Sequence, residues 1–95
     1  MYERILKRLR ECVRDRHYVV TLHADEELAD EGLSILDVER AILHGHVAGR
    51  QRDVETGEWK YLVAGNSRMD DPIMVVVKFG PTGRMILITV FGDEG

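Results

Sequence analysis

The chain has one cysteine, two prolines and one tryptophan, and its aromatic residues make up only 6% of the total. Cys12 cannot close an internal disulfide and falls at a position that a helix buries, so a cytoplasmic location is expected. No apolar run approaches the roughly 18 residues that a membrane span needs. Met1-Tyr2-Glu3-Arg4 leads into an amphipathic helix, without the apolar segment and cleavage site of a secretion signal, so no membrane association is expected. A basic excess is also missing. The net charge is −4 and the sequence pI about 5.5, whereas proteins that hold nucleic acid through bulk charge are basic. There is no glycine-rich phosphate loop, no Ser/His/Asp elbow and no pair of zinc-spaced cysteines, which leaves hydrolase, nucleotide-binding and zinc-finger readings without support. What is present, 44% hydrophobic and 32% charged residues over 95 positions, describes one globular domain spanning 1–95.

The charge is unevenly spread. Residues 1–16 carry six basic and three acidic side chains, residues 17–45 one basic and seven acidic, and residues 46–95 six basic and seven acidic. An RNA contact would therefore need a local basic patch, with the acidic middle turned away.

Apolar residues at helical spacing (Tyr2, Ile5, Leu6, Leu9, Cys12, Val13) predict an amphipathic helix over 2–16. Tyr18 to Thr21 is short and β-branched, an extended lead-in or a brief edge strand. A second helix follows from His23 to Glu31, with acidic residues in its first turn and Gly32 suited to the left-handed position that ends it. Ser34 is a good N-cap for a third helix, Asp37 stands where a capping box needs it, and Gly45 ends the stripe of Ile35, Val38, Ala41 and Ile42. The period then turns extended: a strand over Val47–Val54, a turn at Asp53–Gly57, strands over Trp59–Gly65 and Ile73–Phe79, a hairpin turn at Gly80–Gly83, and a last strand over Met85–Phe91. The expected fold is α+β, N-terminal helices packed on a four-stranded antiparallel sheet. Its last two strands are apolar on both faces. Either the sheet curls around its own core or a partner protein fills a groove on it.

In its order and spacing of motifs the chain resembles domain of unknown function family 4258, and more loosely the compact toxins of the RelE/ParE superfamily. The resemblance rests on Thr21-Leu22-His23-Ala24, on Gly32-Leu33-Ser34-Ile35-Leu36-Asp37-Val38, on Lys60-Tyr61-Leu62-Val63-Ala64-Gly65 and on Thr89-Val90-Phe91, and extends over about 19–91. It implies a RelE-like curled sheet and a toxin of a toxin–antitoxin pair. The cognate antitoxin would be its partner, and messenger RNA or the ribosome its target. The implied reaction is metal-free RNA cleavage, the ribose 2′-hydroxyl attacking the adjacent phosphate. One departure stands out: relatives often carry Arg-Met-x-Glu-Arg-Gly after His-Ala, and here Glu27, Leu28 and Glu31 occupy those places.

His23, Arg50, Arg52, Lys60 and Tyr61 are the candidate catalytic residues. His23 opens a helix and titrates near neutrality. Arg50, Arg52 and Lys60 flank one turn and would form a basic patch if they share a face, with Tyr61 to stack on a base. The ordinary reading of each is structural: a helix-end side chain for His23, and charges that blunt strand edges for the rest. His44-Gly45-His46 with His23 and Glu26 or Glu27 has no spacing that enforces a metal site, so no metal or cofactor is expected. A competing function, on the same scaffold, is a non-catalytic protein-binding module with the acidic helix and the apolar sheet edge as its contact surface, and a homodimer stays open.

Overall fold

The computed structural model describes residues 1–93. Helix α1 (Glu3–Arg14) leads through strand β1 (Tyr18–Val20) to α2 (Leu22–Asp30) and α3 (Ile35–His44). Strands β2 (His46–Arg52), β3 (Trp59–Asn66), β4 (Pro72–Phe79) and β5 (Met85–Gly92) complete the chain. No helix is long and apolar enough to cross a membrane among these residues.

The α+β class is as expected, but the sheet is not. It has five strands in the order β1-β5-β4-β3-β2, and it is mixed: β1 runs parallel to β5, with Tyr18 opposite Met85 and Val20 opposite Leu87. A four-stranded antiparallel sheet is therefore incorrect. The second edge of β5 is paired with the three residues of β1, and the pairing of a strand's edges is independent of which of its faces are apolar. A segment that short gives no signal of its distant partner.

All three helices contribute to one core on one face of the sheet. Leu9, Cys12 and Val13 from α1, Ala24 and Leu28 from α2, and Val38, Ala41 and Ile42 from α3 pack against Val63, Val75, Val77, Leu87 and Val90. The helix ends follow their local chemistry. The Thr21 hydroxyl accepts from the Ala24 N–H and donates to the Ile88 carbonyl, so the cap of α2 is also fastened to β5. Gly32 at φ 68° closes α2 in a Schellman motif, with the Leu33 N–H donating to the Leu28 carbonyl. Ser34 and Asp37 form a full capping box on α3.

Beyond the end of β1, the free edge of β5 is finished by a side chain. The Glu27 carboxylate accepts from the Val90 N–H at 3.1 Å and from the Thr89 hydroxyl. At the opposite edge, β2 contains a bulge: Val47 is opposite Val63, yet Gly49 is opposite Leu62. The extra residue, Ala48, reverses which face every later side chain of β2 occupies.

Helix α3 lies on β3 at backbone distance. A Cβ placed on Gly65 would stand 2.7 Å from the Ala41 Cα and 2.8 Å from its Cβ. Gly65→Ala is therefore expected to cost about 2 kcal/mol through overpacking, measured by urea unfolding. Gly49→Ala, at a glycine with nothing near its Cβ position, should move stability far less.

Candidate functional site

Residues directly opposite one another on paired strands share a face, and neighbours along a strand do not. Arg50 is opposite Tyr61 and Arg52 opposite Trp59, while Gln51 is opposite Lys60. Tyr61 is buried in the core, so Arg50, Arg52, Trp59 and Tyr61 lie on the helix-bearing face and Lys60 on the other.

The first group forms a continuous strip with α1 at its end. The Arg50 guanidinium sits 3.9 Å from the centre of the Trp59 ring and that of Arg52 5.3 Å from it. Tyr61 meets Phe79 edge to face with ring centres 6.0 Å apart, and Arg8 of α1 lies 3.9 Å above Phe79. Tyr2, Ile5, Arg50 and Tyr61 border a cavity of about 220 Å³. Arg52 also donates from Nε to the Gly57 carbonyl.

The other basic residues of the sheet half are mostly spoken for. The Lys60 ammonium is 3.6 Å from Asp53, and that of Lys78 3.3 Å from Glu58. Asp53 takes hydrogen bonds from the Thr56 and Glu55 N–H groups, and these, with Lys60 nearby, hold its carboxyl below its ordinary value. Arg68 pairs with Asp37. By contrast, Arg8, Arg50 and Arg52 have no carboxylate partner among the described residues.

His23 stands apart from this strip. It is 68% exposed, its Nε2 3.3 Å from Glu27, on a helix that packs against β5. Strand β2 is three strand spacings away, roughly 14 Å. The structure thus gathers Arg50, Arg52 and Tyr61, puts Lys60 on the reverse face, and leaves His23 near the other edge. Among the described residues no three His, Cys, Asp or Glu side chains converge as a group that could hold a metal.

Two members of the strip, Arg8 and Phe79, and the central Trp59 were not legible as site residues. Helical spacing shows that Arg8 is on a solvent-facing side of α1, not that α1 lays it on β4. Trp59 did carry a signal: it and Tyr61 are two apart on a strand, as Arg50 and Arg52 are, with the Asp53–Gly57 turn between them.

A family model described as a domain of unknown function (DUF4258) matches residues 20–92. The chain belongs to that family. No curated protein and no solved structure matches it. Helix α1, which supplies Arg8, lies outside the matched segment.

Most of the DUF4258-like motif residues here are structural. Thr21 caps α2, Gly32 ends it, Gly65 admits α3, and Thr89 meets Glu27. Asp37 does most. Only 4% exposed, it accepts from the Ser34 N–H at 2.8 Å through one oxygen, and from the Arg68 N–H at 2.8 Å and Nε at 3.2 Å through the other. Burial alone would push its carboxyl up, but the Arg68 and Ser34 N–H groups and the Arg68 guanidinium outweigh it and hold the carboxyl below its ordinary value.

Asp37→Ala removes a cap and leaves buried N–H groups unpaired, with an expected loss of about 2 to 3 kcal/mol at pH 7. Because the folded-state value is lowered, the contribution is fully present above the unfolded value of about 3.9 and is lost as pH falls through the folded one. The gap between wild type and Asp37→Ala should therefore narrow below about pH 4, measured by urea unfolding across the acid range.

Proposed function

We propose that the chain is the toxin-type member of a toxin–antitoxin pair and that it engages single-stranded RNA along Arg8, Arg50, Arg52, Trp59 and Tyr61. The observation that carries this reading is the state of the three arginines. In a chain with 17 acidic residues against 13 basic ones, Arg8, Arg50 and Arg52 are held over aromatic rings, without a carboxylate partner among the described residues. A guanidinium stacked on a ring keeps its N–H fork free for phosphate, and a neighbouring ring face can stack a base. Local cations of this kind answer the objection raised by the net charge.

For the metal-free cleavage that the RelE-like resemblance implies, Arg50 and Arg52 would stabilise charge on the phosphate, and the Tyr61 side chain borders the same cavity. His23 enters this reading only if the RNA runs from the strip to α2.

A second reading, a protein-binding module, is favoured by the uncovered face of the sheet. Leu62, Met74, Val76 and Ile86 occupy it, and Val76 is buried without belonging to the core under the helices. In the toxin reading the same face is where an antitoxin would sit.

Trp59 is the only tryptophan, so its fluorescence reports on the strip directly. Titration with oligouridylate is expected to quench it. Arg50→Ala/Arg52→Ala should weaken binding at least ten-fold and flatten the salt dependence by about 1.4 in the slope of log K against log salt, two phosphate contacts on a single strand. Induced expression of wild type should arrest growth and expression of the double variant should not, with both proteins folded. Absence of both RNA binding and growth arrest would leave the protein-binding reading in its place.

A further inference from the structure

A second and larger cavity, of about 310 Å³, opens where α3 hands over to β2, bordered by Arg40, His44, His46, Asn66 and Asp93. Arg40 and His44 are four residues apart on α3 and so share a side of it. His46 follows two residues on as the first of β2. Asn66 ends β3, and Asp93 follows β5. The floor is backbone: a Cβ on Gly45 would stand 2.1 Å from the Ala64 carbonyl oxygen, and one on Gly65 would strike Ala41.

Such a place, at the end of a helix, normally repels anions, because the last carbonyls are unpaired and carry the negative end of the dipole. Here two of them, on Ala41 and Ile42, have partners, as does the Gly45 carbonyl just beyond. Arg10 donates from Nε to the Ile42 carbonyl at 3.0 Å and from Nη2 to the Gly45 carbonyl at 3.1 Å, and the Ala41 carbonyl accepts from the Gly45 N–H at 2.7 Å. Among the described residues, one guanidinium and two imidazoles border the cavity against the single carboxylate of Asp93. Asn66 already donates to Asp70. Arg40, His44 and His46 make no side-chain hydrogen bond or ion pair among the described residues.

We infer that this cavity binds a phosphate monoester, with Arg40, His44 and His46 as donors to its oxygens. A guanidinium fork and two imidazole N–H groups supply donors for the oxygens of a tetrahedral anion. The volume exceeds that of a phosphate and leaves room for a small organic group such as a sugar. The site is independent of the strip, since His46 lies about 13 Å along β2 from Arg50 and, through the Ala48 bulge, on the other face of the strand.

The test is a backbone amide NMR titration of the protein at pH 6 with ribose 5-phosphate and, separately, with a 5′-phosphorylated trinucleotide and its 5′-hydroxyl counterpart. Saturable shifts are expected around 44–46 and 64–66. Affinity for ribose 5-phosphate should be at least ten-fold weaker in His44→Ala/His46→Ala and in Arg40→Gln. Preference for the phosphorylated trinucleotide over ribose 5-phosphate would identify an RNA end as the source, and the reverse a free metabolite. The three substituted side chains are exposed, and a dispersed spectrum confirms that each variant is folded. No saturable shift, or equal affinity in the folded His44→Ala/His46→Ala variant, would each overturn the assignment.

Discussion

The close approach of α3 to β3 is the constraint on which the rest of the molecule depends. Where Ala41 meets Gly65 there is no room for a side chain, and the same helix ends at Gly45 against the Ala64 carbonyl. This contact fixes the height and direction of α3. Its C-terminus is therefore delivered beside β3, and the chain can enter β2 with no connecting loop beyond Gly45. At its other end α3 is held by Asp37, which binds Ser34 on its own turn and Arg68 on the β3–β4 connection. A helix fixed at both ends to one hairpin is a rigid support, and both cavities discussed above border elements that it positions.

The distribution of charge follows from that arrangement. Carboxylates reach the cations of the uncovered face, Lys60 and Lys78, from the Asp53–Glu58 segment. Among the described residues the helix-bearing face beside β2 receives none, and Tyr2 and Ile5 are what the N-terminal segment brings beside Arg50. The acidic residues of α2 lie toward β5, where Glu27 completes the strand edge. An acidic protein thereby keeps a local cationic strip, and its net charge is a poor guide to what that strip meets. Aromatic rings take the place of counterions: they hold the guanidinium groups in position without cancelling their charge.

Much of this was legible in the residues. The helix-end signals at Gly32 and Ser34 act as their chemistry requires, whereas the two apolar faces of β5 suggested a curled sheet or a groove for a partner and not a fifth strand. The parallel partner was not legible, because β1 is three residues long and its pairing is set by how α2 and the hairpins return the chain. Lys60 could have been separated from Arg50 and Arg52 once the Asp53–Gly57 turn was taken as a hairpin. The turn sets Arg52 opposite Trp59, and alternation then puts Lys60 on the reverse face. Arg8 could not have been found this way, since a helix period gives a direction around an axis and not the place where that axis lies.

The bulge at Ala48 decides more than any of these. His46, Arg50 and Arg52 are spaced by even numbers, so on a regular strand all three would share the uncovered face with Ala64 and Leu62. Arg50 would then be opposite Lys60, like charge against like, rather than opposite Tyr61. The extra residue turns Arg50 and Arg52 to the helix-bearing face and leaves His46 where α3 has already brought His44 and Arg40. One inserted residue thus divides the basic and imidazole groups of β2 between a strip lined with aromatic rings and a cavity lined with backbone. A strand at the sheet edge can hold such a bulge because only one neighbour has to accommodate it. Both candidate sites thus depend on the register that this one residue sets along β2.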